Sequence, residues 1–184
     1  MRGPVSCWTA RPHEFALPFI IRHRVFVEEQ GVLVFTDVDA RDRHPATISV
    51  LASIDDQVAG TVRLYPIEPD GSGTGVRWRG DRLAVLPPYR SSLVGARLVR
   101  HAVATAASAG GGQMEASVQV ANVVFFERLG WRCDGGARPY LGLLHQPMLI
   151  DLSGVAPASE TRPAAAALRT GRPADDRSPL LAGV

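Results

Sequence analysis

The chain has 184 residues, 46% of them hydrophobic. This length suffices for one domain with a well-buried core and is too short for two domains of ordinary size. The formal net charge is only +2 and the basic residues are scattered among acidic ones, which argues against a nucleic-acid partner. All 20 basic residues are arginine, so Schiff-base lysine chemistry, a pyridoxal-phosphate anchor and a phosphate-loop lysine are excluded.

The first predicted elements are a strand over residues 5–9 and a helix near residues 13–29. Aromatic residues recur on roughly one side of this helix, and Pro18 within it predicts a kink or a late start. Gly31 ends the helix. The acidic segment TDVDARD that follows is predicted to be a loop.

A β-hairpin is predicted next. The β-branched runs ATISVLASI and QVAGTVRLY are separated by Asp55 and Asp56, a polar pair suited to a tight turn. The stretch PIEPDGSGTG is predicted to be a loop, and VRWRGDRLAV a third strand. Three sequential antiparallel strands are the simplest assembly of these segments.

The remaining elements alternate between helix and strand. Apolar residues at four-residue spacing predict a helix over residues 93–109, and QMEASVQV after the GGG punctuation predicts a buried strand. A short helix is expected near residues 122–129, and the last strands near residues 131–133 and 141–152.

Composition changes near residue 154. Residues 154–184 are rich in Ala, Pro and Arg without a sustained apolar face, so we expect a disordered tail after a single domain over residues 1–153. Cys7 and Cys133 lack metal-ligand or redox spacing, and no apolar run reaches the length of a membrane span. These features predict a cytoplasmic protein without a membrane partner.

The junction LAVLPPYRSSLVGARL, residues 83–98, is the most informative stretch. An apolar strand leads into a helix whose first turn carries no acid, and the free amides of such a turn favour a phosphate or diphosphate. Arg90 adds a permanent charge, and Gly95 permits close approach to the backbone. The alternative is an ordinary strand–turn–helix connection with one solvated arginine.

Three further motifs stand in consistent order with this junction: VFVEEQGV, GTVRLYP and NVVFFERLGW. Together they make residues 5–152 resemble the GNAT superfamily of acyl-CoA-dependent N-acyltransferases. The likeness is greatest to bacterial members with an R-x-x-V-F-V-x-E-Q opening, here residues 22–30, and a late G-x-x-H-x-x-M segment, here residues 142–148.

The resemblance implies an α/β fold of three layers, with a mixed, mostly antiparallel sheet that splays between its fourth and fifth strands. The pantetheine arm of acetyl-CoA, or another acyl-CoA, would lie in this gap and pair with the backbone of Leu83, Ala84 and Val85. The diphosphate would rest near Arg90 on the amides of Ser91, Ser92, Leu93, Val94, Gly95 and Ala96. Asn122 and Phe125 would contact the coenzyme arm.

Two positions depart from the family pattern, and one has a second interpretation. Leu93 replaces a usual glycine, and Phe126 replaces the tyrosine that protonates the departing thiolate in many members. Tyr140, His145 or water would then supply that proton, or the thiolate would leave unprotonated. Asn122 is the only asparagine of the chain and could instead cap the short helix that follows it.

Asp81 is the leading candidate for the catalytic base, because an ammonium substrate must lose a proton before it attacks a thioester. Its alternative role is a charge paired with Arg79 or Arg82. His145 is either a core residue of an apolar strand or a proton-transferring residue at the acceptor site. Glu28 and Glu29 could face the acceptor, or be solvated charges at the C-terminus of the helix.

The segment residues 37–42, with Arg24 and Arg63, also resembles the acidic and arginine cluster of acyl-homoserine-lactone synthases, which acylate S-adenosylmethionine. In either interpretation its carboxylates could pair with Arg63 and organise the acceptor pocket. A third interpretation is a non-enzymatic acyl-CoA-binding sensor. We expect a small-molecule amine as acceptor, no metal ion, and a possible homodimer by family likeness.

Overall fold

Nine strands form one mixed sheet in the part of the chain that the computed structural model describes, residues 3–67, 76–163 and 169–170. The strands are β1 (Val5–Thr9), β2 (Ile48–Ile54), β3 (Gln57–Ile67), β4 (Val76–Val85), β5 (Gly111–Gln119), β6 (Arg132–Cys133), β7 (Arg138–Tyr140), β8 (Leu143–Asp151) and β9 (Arg169–Thr170). The α-helices are α1 (Ala16–Arg22), α2 (Val94–Ser108) and α3 (Val123–Glu127).

The strand order is β1-β2-β3-β4-β5-β8-β6, with β7 added to β8 and β9 to β3. Pairing is antiparallel except between β4 and β5 and between β3 and β9. The predicted hairpin is β2–β3, and both Asp55 and Asp56 have positive φ angles, as a type I′ turn requires. The three sequential antiparallel strands are confirmed.

Helices cover both faces of the sheet. Val50 and Ala52 of β2 pack with Leu98 of α2, whereas Leu51 between them packs with Ile21 of α1. Because successive residues of a strand point to opposite faces, α1 and α2 lie on opposite sides of the sheet. The predicted three-layer α/β architecture is therefore confirmed, and no helix in the described residues is long and apolar enough to cross a membrane.

The predicted helix near residues 13–29 is divided in the structure. A 3₁₀ turn (Pro12–Glu14) precedes α1, and α1 continues into a π-helical segment (His23–Glu29). Pro18 lies in the first turn of α1, where a missing N–H costs nothing, so the late start is confirmed. Further 3₁₀ turns are Ala40–Arg43, Pro87–Tyr89 and Val120–Asn122.

The last strands differ from the prediction. The segment near residues 141–152 is β8, but it forms a hairpin with β7, a strand that the sequence pattern did not predict. Pro66 and Ile67, the first two residues of the predicted loop PIEPDGSGTG, belong to β3, and its other residues, 68–75, lie outside the described residues.

The segment after β8 follows β1. The backbone N–H of Thr161 donates to the Cys7 carbonyl (3.0 Å), and Arg162 donates to the Glu14 carboxylate and to the Thr9 carbonyl. Residues 154–163 thus contact the domain, while residues 164–168 and 171–184 of the predicted tail lie outside the described residues.

Candidate active site

β4 and β5 separate partway along their length. Their parallel pairing ends where Gly80 lies opposite Ala116, although β4 continues to Val85 and β5 to Gln119. A cavity of about 710 Å³ lies at this split. The backbone N–H and C=O groups of an unpaired strand edge can pair with an extended ligand. The splay between the fourth and fifth strands is therefore confirmed.

A β-bulge in β4 determines which side chains face the split. Asp81 lies opposite Arg63 of β3, and the register then shifts so that residues 82 and 83 oppose a single β3 residue. Arg82 has φ +53°, a left-handed backbone conformation that residues other than glycine rarely adopt. As a result Asp81 meets Arg63 on the α1 side, whereas Leu83 packs with the core on the α2 side.

The structure brings four of the predicted site residues into the lining of the cavity: Asp81, Leu83, Asn122 and His145. The remaining predicted residues are not among those that line it: Glu29, Arg63, Ala84, Val85, Arg90, residues 91–96 and Phe125. Ala84 is buried in the α1-side core, and Arg63 lies directly behind Asp81.

Arg63 is the centre of a buried ion-pair cluster. Its side chain is 1% exposed, and its guanidinium donates to both oxygens of Asp81 at 2.7 Å and to both oxygens of Asp39 at 2.7 and 2.8 Å. It also lies 2.8 Å from Asp42. The predicted pairing of Arg63 with acids of the 37–42 loop is therefore confirmed. The partner of Asp81 is Arg63 rather than Arg79 or Arg82.

A second buried guanidinium, that of Arg22 on α1, supports the same loop. It donates to the carboxylates of Asp37 and Asp42 and to the Asp37 carbonyl. Burial by itself raises the pKa of Asp42, but hydrogen bonds from Arg22, the Asp39 amide and Arg63 outweigh it and lower the pKa from 3.8 to about 2. Asp42 is therefore ionised across the neutral range.

Burial and neighbouring charges also shift the pKa values of Asp39 and Tyr65 at the cavity wall, in opposite directions. Burial raises the pKa of Asp39, yet the hydrogen bonds and charge of Arg63 lower it overall. The pKa of Tyr65 is raised, first by burial and then by the charge of Asp81, whose oxygen lies 3.4 Å from its hydroxyl. Tyr65 thus remains a neutral phenol beside the cleft.

His145 lies on β8 at the far wall of the cavity. Its Nδ1 is 3.2 Å from the Leu143 carbonyl, and its ring meets Tyr140 edge to face with 5.4 Å between centroids. A tautomer protonated at Nδ1 leaves Nε2 as the basic nitrogen. Tyr140 also lines the cavity, so both residues that the sequence offered as proton donors border the split.

The turn before α2 has the predicted form but its arginine is already paired. Arg90 donates to both Glu29 oxygens at 2.6 Å and through Nε to the Val85 carbonyl at 3.0 Å. No acid lies in the first turn of α2, and Leu93 is 65% exposed, pointing to solvent rather than into the core. The structure thus places Glu29 beside Arg90, not in the cavity wall.

The segment around α3 closes one end of the cavity. Asn122 occupies the N-cap position of α3, but its side chain makes no capping hydrogen bond there and lines the cavity. Phe126, at the position of the absent tyrosine, is buried against Trp131 and Phe125. Phe125 packs close to the backbone of Gly95, because a Cβ at that glycine would lie 3.5 Å from the phenyl ring.

Sequence reasoning missed Arg22 and the apolar wall of the cavity. The resemblance grouped the acidic loop with Arg24 and Arg63, whereas the structure buries Arg22 of α1 against that loop. The signal was present, because Pro18, Ile21, Arg22 and Val25 share the buried face of one helix at helical spacing.

The comparisons with known proteins agree with this geometry. A model of the acetyltransferase (GNAT) family matches residues 14–131, more than half of the chain. A search of curated proteins found no match.

Solved structures show the same fold at low sequence identity. An acyl-CoA N-acyltransferase from Pseudomonas aeruginosa superposes with a TM-score of 0.64 at 20% identity, over 79% of this chain and 97% of that one. Escherichia coli ElaA superposes with a TM-score of 0.65 at 18% identity, over 81% of this chain and 99% of ElaA. BjaI is a CoA-dependent acyl-homoserine lactone synthase that was solved with SAM and isopentyl-CoA. It superposes with a TM-score of 0.65 at 16% identity, over 86% of this chain and 95% of BjaI.

Proposed function

The chain belongs to the acetyltransferase (GNAT) family and is an acyltransferase, and we propose that it transfers an acetyl group from acetyl-CoA to the amine of a small molecule. The transfer is direct, without a covalent enzyme intermediate. The observation that carries the proposal is the cavity at the β4–β5 split, where Asp81, His145 and Asn122 converge. A thioester in this cavity would be exposed to groups able to accept and donate protons.

The residues of the split fit an acyl-CoA. The unpaired edge of β4 over residues 83–85 offers backbone groups to the pantetheine amides, and the acid-free first turn of α2 offers amides to the diphosphate. Some existing contacts must be released first, since the Val85 carbonyl accepts from Arg90 and Arg90 is held by Glu29. The Ser92 amide already donates to the Tyr89 carbonyl (3.1 Å) and the Val94 amide to Ser92 Oγ (3.4 Å), so these two amides must also change partner. An incoming diphosphate competes with that exposed carboxylate for the guanidinium.

The chemistry requires one proton to leave the acceptor and one to reach the sulfur. The amine nitrogen attacks the thioester carbon, the C–N bond forms, the C–S bond breaks, and the electron pair leaves on the thiolate. Asp81 is the base we favour, reached directly or through water, with Arg63 fixing its orientation. His145 or Tyr140 would return a proton to the thiolate, because Phe126 cannot.

The test is a screen of amines with acetyl-CoA. Purified protein is incubated with amino acids, polyamines, aminoglycosides and peptide N-termini, and released CoA thiol is measured while mass spectrometry follows the acceptor. We expect CoA release together with one acetylated amine. Tight acetyl-CoA binding without accelerated release by any amine would instead support a sensor.

A second candidate is an acyltransferase that acts on S-adenosylmethionine. It is favoured by the joining of Asp39 and Asp42 to Arg63 next to the cavity, and by the similarity to BjaI. Adding S-adenosylmethionine to the same screen distinguishes the two, because its use as acceptor would release methylthioadenosine, and that product would overturn the first proposal.

A further inference from the structure

The cavity at the split reaches both faces of the sheet. On the α1 side its wall is polar and includes Asp39, Tyr65 and Asp81. On the α2 side its wall includes Val62, which points away from Tyr65 because the two residues are an odd number of positions apart along β3. A group held in the split can therefore extend toward either face.

The α2-side wall consists of buried side chains that all belong to the core under α2. They are Val62, Val99, Ala102, Met114, Ala116, Val118, Phe126, Trp131 and Met148. None of these residues is charged, and the buried indole N–H of Trp131, which has no hydrogen-bond partner among the described residues, can donate but not accept, so a charged amine would lose its hydration there without replacement. An aliphatic group would gain from the same burial.

Two of these residues set the shape of the apolar end. Ala102 on α2 presents only a methyl group, and Met114 on β5 is an unbranched side chain that can adapt to irregular space. Met114 already lies close to β4, because a side chain on Gly80 would meet its terminal carbon at 2.7 Å. The free volume is therefore bounded by a flexible side chain on one side and a small one on the other.

We infer that this apolar end holds the aliphatic chain of a medium-length acyl-CoA, so that the protein accepts acyl donors longer than acetyl. The inference rests on the proposed acyl-CoA-dependent function. The amine approaches from the polar α1 side while the acyl chain extends toward α2. The bonds that form and break are those of acetyl transfer, with the longer acyl group moving from sulfur to nitrogen.

Binding of non-reactive donors tests this without knowledge of the acceptor. We would titrate S-ethyl-, S-butyl-, S-hexyl- and S-octyl-CoA thioethers into the full chain by calorimetry. Each methylene that enters an apolar pocket is expected to raise affinity about fourfold until the pocket is filled. Equal affinity along the series, with S-ethyl-CoA bound, overturns the inference and leaves the proposed function standing. No binding of any thioether removes both.

Variants of the apolar wall sharpen the experiment. Ala102→Leu adds three carbon atoms to the apolar wall and should lower the affinity for S-hexyl-CoA about tenfold while leaving the affinity for S-ethyl-CoA unchanged. Ala107→Leu on the same helix, outside the cavity lining, is the matched control and should change neither affinity.

Val99→Ala enlarges the space and should move the best chain to greater length, which keeps the test decisive if Ala102→Leu does not fold. If Val99→Ala and Ala102→Leu change the affinities of all thioethers by the same factor, the chain does not lie in this wall and the inference is wrong.

Discussion

Asp42→Asn is the most informative single change to the ion-pair cluster. The Asp42 side chain is 4% exposed and accepts from Arg22 at 2.7 and 3.0 Å and from the Asp39 amide at 2.9 Å, and it lies 2.8 Å from Arg63. An amide keeps the shape of the group but removes its charge and turns N–H donors toward guanidinium donors. The variant therefore leaves two buried cations with one carboxylate fewer.

The size of the effect follows from the pKa of Asp42. A pKa lowered from 3.8 to about 2 corresponds to roughly 2–3 kcal/mol of native-state stabilisation by the ionised form. A folded-state pKa below the ordinary value means that this stability is fully present above about pH 4 and is lost as the pH falls toward 2. We therefore expect the variant to be less stable by roughly 2–3 kcal/mol at pH 7. About half of this difference in the free energy of unfolding between wild type and variant should remain at pH 3.

Urea unfolding at pH 7, 5, 4 and 3 measures the difference in the free energy of unfolding between wild type and Asp42→Asn. Tryptophan fluorescence reports the transition, because Trp8, Trp78 and Trp131 are all buried. Asp56→Asn at the exposed β2–β3 turn is the matched control and should change stability by less than about 0.5 kcal/mol. A gap between wild type and Asp42→Asn that stays constant from pH 7 to pH 3 would refute the argument, since the lost group would then not be a titrating carboxylate.

Four further substitutions test other parts of the protein. Arg90→Ala should lower the affinity for CoA about tenfold and leave the affinity for dephosphorylated pantetheine unchanged. Glu29→Gln, which frees Arg90, should raise the affinity for CoA. Equal losses of affinity for CoA and pantetheine in Arg90→Ala would reject the diphosphate contact. Asp81→Asn should lower kcat about a hundredfold with little change in the KM for acetyl-CoA, and an unchanged rate at every pH removes Asp81 as the base. Gly60→Ala should cost about 1–3 kcal/mol in thermal unfolding, because the new carbon would lie 2.8 Å from the Ala84 carbonyl, and an unchanged Tm contradicts this close packing.

The fold was predictable where local signals were strong. The β2–β3 hairpin follows from two β-branched runs and a two-residue polar turn, and the start of α2 follows from four-residue apolar spacing. The hairpin of β7 and β8 was missed because Arg138–Tyr140 is too short to show a strand period. Elements of this length are fixed by their neighbours rather than by their own sequence.

The candidate site was predictable only in its residue types. Asp81, His145 and Asn122 were named from motif positions, and the structure brings all three to one cavity. The pairing of Arg90 with Glu29 was hidden because it joins residues 61 positions apart in the chain, and no local spacing encodes such a contact. Glu29 ends the π-helical segment and Arg90 lies in the turn before α2, so their contact is a result of tertiary packing.

The bulge at Arg82 explains why the two faces of the cavity differ so sharply. In a regular strand Asp81 and Leu83 would share a face, and the polar and apolar walls would be mixed. The bulge reverses the alternation, so Asp81 reaches Arg63 while Leu83 joins the α2-side core. Arg82 is strained at φ +53°, and its guanidinium lies 3.4 Å from Asp39 and 3.8 Å from Asp37.

The ion-pair cluster that orients Asp81 therefore also holds the strained backbone. The left-handed backbone of Arg82 turns Asp81 toward Arg63 and Leu83 toward the core under α2, so the ion pairs of the 37–42 loop and the shape of β4 at the split belong to one arrangement. Acidic residues of that loop are therefore connected to the split through Arg63 and Arg82, and Asp39 also lines the cavity itself.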